Sequence, residues 1–351
     1  MFDEQTVQVI RNEIDRMEKL GTLTPEVLEI IYEQRLFKLF IPNELHGNMT
    51  PFPKAIKMFE EAAWIDGSFG WLVQIGSGAG FFVTTMLPDV ATDIFSKRDV
   101  FIAGSDRPTG IAKKIDGGYL VTGNWSYCSG SVHASVFTAN CRLETDDEKN
   151  GSIRAFIFTP EQVEIEKDWH AFGLKATGSH TIHVTSAFVP EERTFDVAKP
   201  HYYYDHPVFH YPFIPFAEAN IASTTIGIAR HFFDEAKAHS FRKRDTWDSN
   251  RFQFVIDKIE EMEAPFTQAV RDFFLAIEAS WQTHVSGAES TDDELCEINL
   301  QCKKVAHHAV QGAQVLFRYL GMDAIMEHTN LNRIYRDLHT ASQHKLLISY
   351  E

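Results

Sequence analysis

The hydrophobic period of this chain changes twice, and no other feature limits its fold so strongly. Val7, Ile10, Ile14, Met17 and Leu20 recur at steps of three and four before Gly21, which predicts one amphipathic helix over residues 4–20. Thr24-Pro25 supplies a capping hydroxyl and a first-turn proline for a second helix, whose apolar positions Leu28, Ile31, Leu36 and Leu39 run on to Pro42. Residues 53–66 continue the helical spacing through Ile56, Phe59 and Ala63. From Phe101 the chain changes to short runs of Val, Ile, Thr, Phe and Tyr separated by Gly, Asp, Asn and Pro, the pattern of strands and turns. Strands are expected at 111–115, 119–123, 134–143, 154–158, 163–167 and 181–189, with Asp116-Gly117-Gly118 and Asn150-Gly151 as hairpin turns.

Helical spacing returns near Ala217 in stretches at 218–240, 251–286 and 292–320, the last opened by the capping box Thr291-x-x-Glu294 and closed by Gly321. A fourth helix is expected to begin near Asn330. The expected class is therefore α+β: an N-terminal helical domain (1–100), a central β-domain (101–200) and a C-terminal four-helix bundle (201–351). The aromatic-rich segment 201–216 reads as a linker or a pocket wall, and a deep cleft is expected where the three parts meet.

With 49 acidic against 33 basic side chains the formal charge is -16, which disfavours nucleic acid and anionic membrane as partners. Cys128, Cys141, Cys296 and Cys302 contain no C-x-x-C pair, and the start Met1-Phe2-Asp3-Glu4 lacks a basic or apolar leader, so a cytoplasmic protein with reduced thiols is expected. The most apolar window, 69–87, is broken by Gln74 and four glycines and reads as buried helix and loop.

Familiar nucleotide signatures fail. Gly76-Ser77-Gly78-Ala79-Gly80 lacks G-x-G-x-x-G spacing and reads as helix packing, and no G-x-x-x-x-G-K-[ST] occurs. No metal site is expected: His307-His308 point to different helix faces, His180 and His183 sit at odd strand parity, and H-E-x-x-H is absent.

Three other segments carry chemistry. Trp125-Ser126-Tyr127-Cys128-Ser129-Gly130 sets a large aromatic beside hydroxyl and thiol groups at a strand end. This suits an isoalloxazine ring, which needs an apolar plate and a hydrogen-bonding group near N5, and it equally suits a strand end with capping hydroxyls. Gly173 to Ser179, within the turn-rich stretch 168–180, offers backbone N–H groups, Lys175 and the hydroxyls of Thr177 and Ser179 to a polar ring edge or a phosphate, or is a loop stabilised by its own hydroxyls. Arg333, Arg336 and Asp337 lie on a helix that is expected to continue to His344, and taken alone they read as an Arg-Asp pair on a surface helix.

In this order and spacing the segments resemble the acyl-CoA dehydrogenase fold superfamily, and within it the oxygenase components of two-component flavin-dependent monooxygenases. The resemblance also rests on residues 61–71, Ala103-Gly104-Ser105 with Pro108-Thr109-Gly110, and Gly227-Ile228-Ala229-Arg230. The dehydrogenases of this fold carry a glutamate base in a Tyr-Glu-Gly-Thr pattern, which is missing here. The chain has Ser342-Gln343-His344 instead, and Glu351 is terminal. The resemblance implies reduced flavin, FMN first and FAD as the alternative, delivered by a separate reductase. Oxygen transfer to a small, aromatic substrate through a C4a-hydroperoxyflavin would follow, in a homotetramer. It implies Trp125, Tyr127, Cys128, Ser129, Thr177, Gly178, Ser179 and Arg336 around the flavin, and His344 with Ser129 as catalytic residues, His344 being a base that titrates near neutrality. Phe241-Arg242-Lys243-Arg244 only loosely echoes a flavin-phosphate contact. An FAD-dependent acyl-CoA dehydrogenase and a non-catalytic flavin-binding protein are the alternatives.

Overall fold

A computed structural model describes residues 2–144, 152–196 and 199–349. The expected Asn150-Gly151 turn and Glu351 lie outside them. Helix α1 (Glu4–Leu20) begins where Asp3 Oδ1 accepts the Thr6 N–H at 2.7 Å and ends at Gly21, whose φ of 68° closes the last turn. Helix α2 (Pro25–Glu33) stops short of the expected Pro42, because Arg35 adopts φ 54° and the following apolar residues fold into a buried 3-10 turn, Leu36–Lys38. Then come α3 (Phe52–Ile65), α4 (Gly67–Gly78) and α5 (Pro88–Phe95).

The central sheet comprises β1 (Ile102–Ile115), β2 (Gly118–Cys128), β3 (Val136–Leu143), β4 (Ile153–Phe158), β5 (Glu164–Glu166), β6 (His180–Pro190) and β7 (Thr194–Phe195), in the order β5-β6-β2-β1-β3-β4-β7. Only β1 and β3 run parallel; the other neighbours are antiparallel. The Asp116-Gly117 turn joins β1 to β2, with Gly117 at φ 73°. Strand β1 starts nine residues earlier than its sequence pattern suggests, because its first half pairs with β3 from Ile102↔Val136 onward, a tertiary partner that no local pattern reveals. The two-residue β7 was not expected at all.

After the sheet come the short α6 (Pro207–His210), then α7 (Phe213–Arg242), α8 (Ser249–Val285), α9 (Asp292–Phe317) and α10 (Asn330–Ala341). The aromatic segment before α7 is partly core: Tyr211 is buried against Phe52 and Trp281 and its hydroxyl pairs with that of Ser280. Helices α3 and α4 pack on α7, and α10 packs on α7 and α4, so the N-terminal and C-terminal helices share one core. Gly227 permits the α3–α7 approach, since a Cβ there would lie 2.1 Å from the Glu60 carbonyl oxygen. Among the described residues no helix is long and apolar enough to cross a membrane.

Candidate active site

The end of β2 builds the first wall. Its register with β6 slips between Trp125 and Cys128, and Tyr127 takes φ 67° in the slip. Such a bulge re-aims the side chains that follow it. Trp125 turns into the core, 1% exposed, with its indole N–H donating to the Asn140 carbonyl at 3.0 Å and its ring against Phe158. It is therefore a packing residue, and the expected flavin plate is not Trp125. Cys128 is also interior: burial pushes its thiol up to about 12 and it donates to the Trp125 carbonyl at 3.4 Å, so it offers nothing to a ligand. Tyr127 instead stands out from the sheet, 60% exposed, with the Arg107 guanidinium 5.2 Å from its ring centroid and Trp169 edge-on at 6.2 Å.

Ser129, just past the bulge, faces α4. The Trp71 indole N–H donates to Ser129 Oγ at 3.0 Å, Ser129 Oγ lies 2.8 Å from Ser179 Oγ, and Ser179 Oγ lies 2.7 Å from Thr177 Oγ1. Thr177 donates its single proton to the Leu174 carbonyl at 2.8 Å. Each hydroxyl has one proton, so the direction of the whole chain is fixed: Ser179 donates to Thr177, Ser129 donates to Ser179, and Trp71 donates to Ser129. Ser129 Oγ keeps one free lone pair and no free proton. Gly178, at φ 50°, gives its carbonyl to the Ser131 hydroxyl at 2.9 Å, and the Thr177 carbonyl accepts the Gly130 N–H at 2.7 Å, which ties the loop to the end of β2.

The loop preceding Ser179 is held from outside by α10. Asp337 Oδ1 accepts the Leu174 N–H at 2.5 Å, and Arg336 donates to the Phe172 carbonyl at 2.9 Å, to Asn332 Oδ1 at 2.8 Å and to Glu18 at 2.7 Å. Gly173 is required here, since a Cβ would lie 2.2 Å from the Arg336 carbonyl oxygen. Arg333, Arg336 and Asp337 are all buried, so this is no surface helix. Arg336 fixes the loop to α10 and α1; every bond it makes is structural, in place of the flavin contact expected of it. Asp337 is pushed up to about 8, first by burial and then by the charge of the buried Asp66, the carboxylate that caps α4.

Helix α10 ends at Ala341, short of His344, which caps the 3-10 turn Lys345–Leu347 instead. The His344 ring lies 6.2 Å from that of Trp71 between centroids, beside the residue that donates to Ser129. Its Nδ1 accepts the Leu346 N–H at 3.4 Å, so the neutral ring carries its proton on Nε2 and keeps its basic lone pair under a long, weak contact. Burial lowers His344 to about 4, so it is neutral at pH 7 and does not titrate near neutrality as expected. The next residue, Lys345, pairs with Asp106 at 2.5 Å and fastens this turn to the irregular middle of β1.

Sequence reasoning thus placed Ser129, Thr177, Ser179 and His344 in one neighbourhood but missed Trp71, which closes it. Nothing local marks Trp71, since α4 is buried on nearly every side and only the fold selects which face meets Ser129. Beside this neighbourhood a cleft of about 590 Å³ runs between the end of α1 and the loop, lined by Glu18, Lys19, Lys167, Trp169, His170, Lys175 and His180, with Lys175 paired to Glu18 at 3.4 Å.

Residues 219–348 match the family described as acyl-CoA dehydrogenase, C-terminal domain. An indole-3-acetate monooxygenase of Pseudomonas putida is 25% identical over 343 residues, covering 96% of this chain and 87% of the relative. The flavin-dependent monooxygenase oxygenase subunit HsaA of Rhodococcus jostii (strain RHA1) is 23% identical, covering 95% and 91%. The crystal structure of 3-HSA hydroxylase from Rhodococcus sp. RHA1 superposes with a TM-score of 0.89 at 21% identity, over 98% of this chain and 91% of that one. The chain thus has the fold of the 3-HSA hydroxylase, its residues 219–348 match the acyl-CoA dehydrogenase C-terminal domain, and the relatives it resembles along nearly its whole length are named as monooxygenases.

Proposed function

We propose that the protein is the oxygenase component of a two-component system: it takes reduced flavin from a separate reductase and, with O2, hydroxylates a small aromatic substrate. The observation that carries this reading is the directed hydroxyl chain. It ends on Ser129 Oγ as an acceptor, and the N5 of reduced flavin bears an N–H where oxidised flavin has only a lone pair. This acceptor therefore fits the reduced ring. Ser129, Thr177, Gly178 and Ser179 hold the polar edge of that ring, Tyr127 is the exposed aromatic available to its face, and the lysine-lined cleft seats the phosphate on an otherwise acidic chain. FMN, with a single phosphate, is the flavin proposed, and FAD is its alternative.

When bound, reduced flavin supplies the electrons that activate oxygen. The protein orients and shields. Trp71 and the buried hydroxyls exclude water from the Ser129 end, and neutral His344 takes a substrate proton on its loosely held nitrogen. A dehydrogenase would need a carboxylate base, whereas the basic residue beside Trp71 is His344. Exposed Phe254 and Leu275 on α8 and Leu300 on α9 supply apolar surface for a homotetramer, which we place in the cytoplasm. The test is anaerobic titration with reduced FMN and reduced FAD, followed by oxygen and a panel of phenols. Tight binding of reduced flavin with hydroxylated product is expected. Preference for oxidised flavin, or peroxide alone with every phenol, would overturn the reading.

A further inference from the structure

Two buried amides in this structure have nothing to bond. Gln74, 5% exposed on α4, and Asn220, 1% exposed on α7, leave Oε1 and Oδ1 buried without partners, and no side-chain hydrogen bond reaches either amide among the described residues. Interchanging amide oxygen and nitrogen does not change that count. Each unsatisfied buried amide destabilises the fold, and two side by side call for a reason.

The space is set by a glycine. A Cβ on Gly78 would lie 3.5 Å from Gln74 Nε2 and 3.8 Å from Asn220 Nδ2, and it would meet nothing else within 4 Å. The nitrogen ends of both amides thus face the one position that a Cβ at residue 78 would take, and the glycine leaves that position open. Phe81, three residues beyond Gly78, and Phe216, one turn before Asn220, pack on each other in a tilted pair with ring centroids 4.6 Å apart. Trp71, Gln74 and Gly78 share one face of α4, and Trp71 leads to His344, two helical turns or about 10 Å from Gly78.

Resting on the hydroxylase reading, we propose that Gln74 and Asn220 form the specificity subsite for an uncharged hydroxyl on the aromatic substrate, remote from the position that His344 serves. An amide offers one donor and one acceptor face without net charge, which matches a hydroxyl, and the two phenylalanines match the ring that bears it. The group bound here is distinct from the one that reacts, because the helix separates the two ends.

The experiment is anaerobic calorimetry of phenol and of toluene, its near-isostere without the hydroxyl, on the full chain with and without reduced FMN. Phenol is expected to bind about tenfold tighter than toluene to the wild-type protein, the worth of one net hydrogen bond. In Gln74→Leu and in Asn220→Leu the ratio should fall to about one while Tm holds or rises, since no internal bond is lost; a purely structural amide would lower Tm. Gly78→Ala, whose Cβ sits at ordinary contact distance, keeps both amides and the fold but should weaken phenol at least tenfold. Equal binding of phenol and toluene by the wild-type protein, or a ratio that survives the leucine and alanine variants, overturns the subsite. Failure to bind reduced FMN overturns the hydroxylase reading instead, and the phenol-to-toluene ratio is read independently of it.

Discussion

The Trp71 indole N–H donates to Ser129 Oγ at 3.0 Å, and this bond ties α4 to the end of β2 and closes the hydroxyl chain whose proton direction Thr177 sets at its other end. Replacing Trp71 by Phe keeps a ring and removes the donor. Ser129 then gains a second free lone pair and can turn away from Ser179. We expect reduced-flavin affinity to fall about five- to tenfold, as for one neutral hydrogen bond, with Tm lowered by only a few degrees. Fluorescence titration with reduced flavin measures this, and unchanged affinity would remove the bond from the site.

Trp125 and Tyr127 separate packing from binding two residues apart. Trp125→Ala should cost about 3–5 kcal/mol, as for other large buried aromatics, and Tyr127→Ala should cost under about 0.5 kcal/mol because that ring is exposed. Flavin affinity should respond the other way, with Tyr127→Ala weakening it several-fold. Urea denaturation alongside flavin titration of both variants gives the comparison.

Arg336 holds the 168–180 loop through Phe172 and α1 through Glu18. Its removal leaves the Phe172 carbonyl and Asn332 without their donor and leaves the part-buried Glu18 with Lys175 alone, so Arg336→Met should lose about 1–3 kcal/mol. Hydrogen exchange should report faster opening at Gly173–Ser179 than in the sheet. Uniform protection across both would argue against the loop-lock role.

Asp337 stands at about 8 in the folded protein against an ordinary 3.8, raised by burial and by Asp66. A group raised on folding contributes stability that is complete below its unfolded value and is lost as pH rises through its folded value. Asp337 therefore makes the protein less stable between pH 4 and 8. Asp337→Asn keeps an acceptor for the Leu174 N–H and should flatten that decline, as read from denaturation midpoints at pH 5 and pH 8.

His344 works in the opposite sense. Burial depresses it to about 4, so the unfolded chain binds the proton first and stability falls as pH drops from about 6.5 to 4. In histidine-labelled protein its ring resonances should not move between pH 5.5 and 8. A midpoint near 6.5 in the ligand-free protein would show that the ring is solvated.

Much of the fold was legible in the chain. The period of α1, the Pro25 start, the Thr291 capping box and the Asp116-Gly117 turn are local devices, each set by residues within a few positions of one another, and the structure shows them where the sequence puts them, although Thr24 makes no capping hydrogen bond with its hydroxyl. Order and spacing of short motifs likewise brought Ser129, Thr177, Ser179 and His344 into one reading. The direction of a side chain is a different matter. Trp125 and Tyr127 look alike in sequence, yet a one-residue slip against β6 sends one into the core and the other outward. Arg336 looks like a ligand contact until the Phe172 carbonyl, 164 residues earlier, occupies it. Trp71, Gln74 and Asn220 sit in helices buried on nearly every face, where local pattern assigns no preferred side. Period and capping are short-range properties that a sequence determines by itself; bulge register, proton direction and unsatisfied amides depend on partners distant in the chain, and only the tertiary structure decides them.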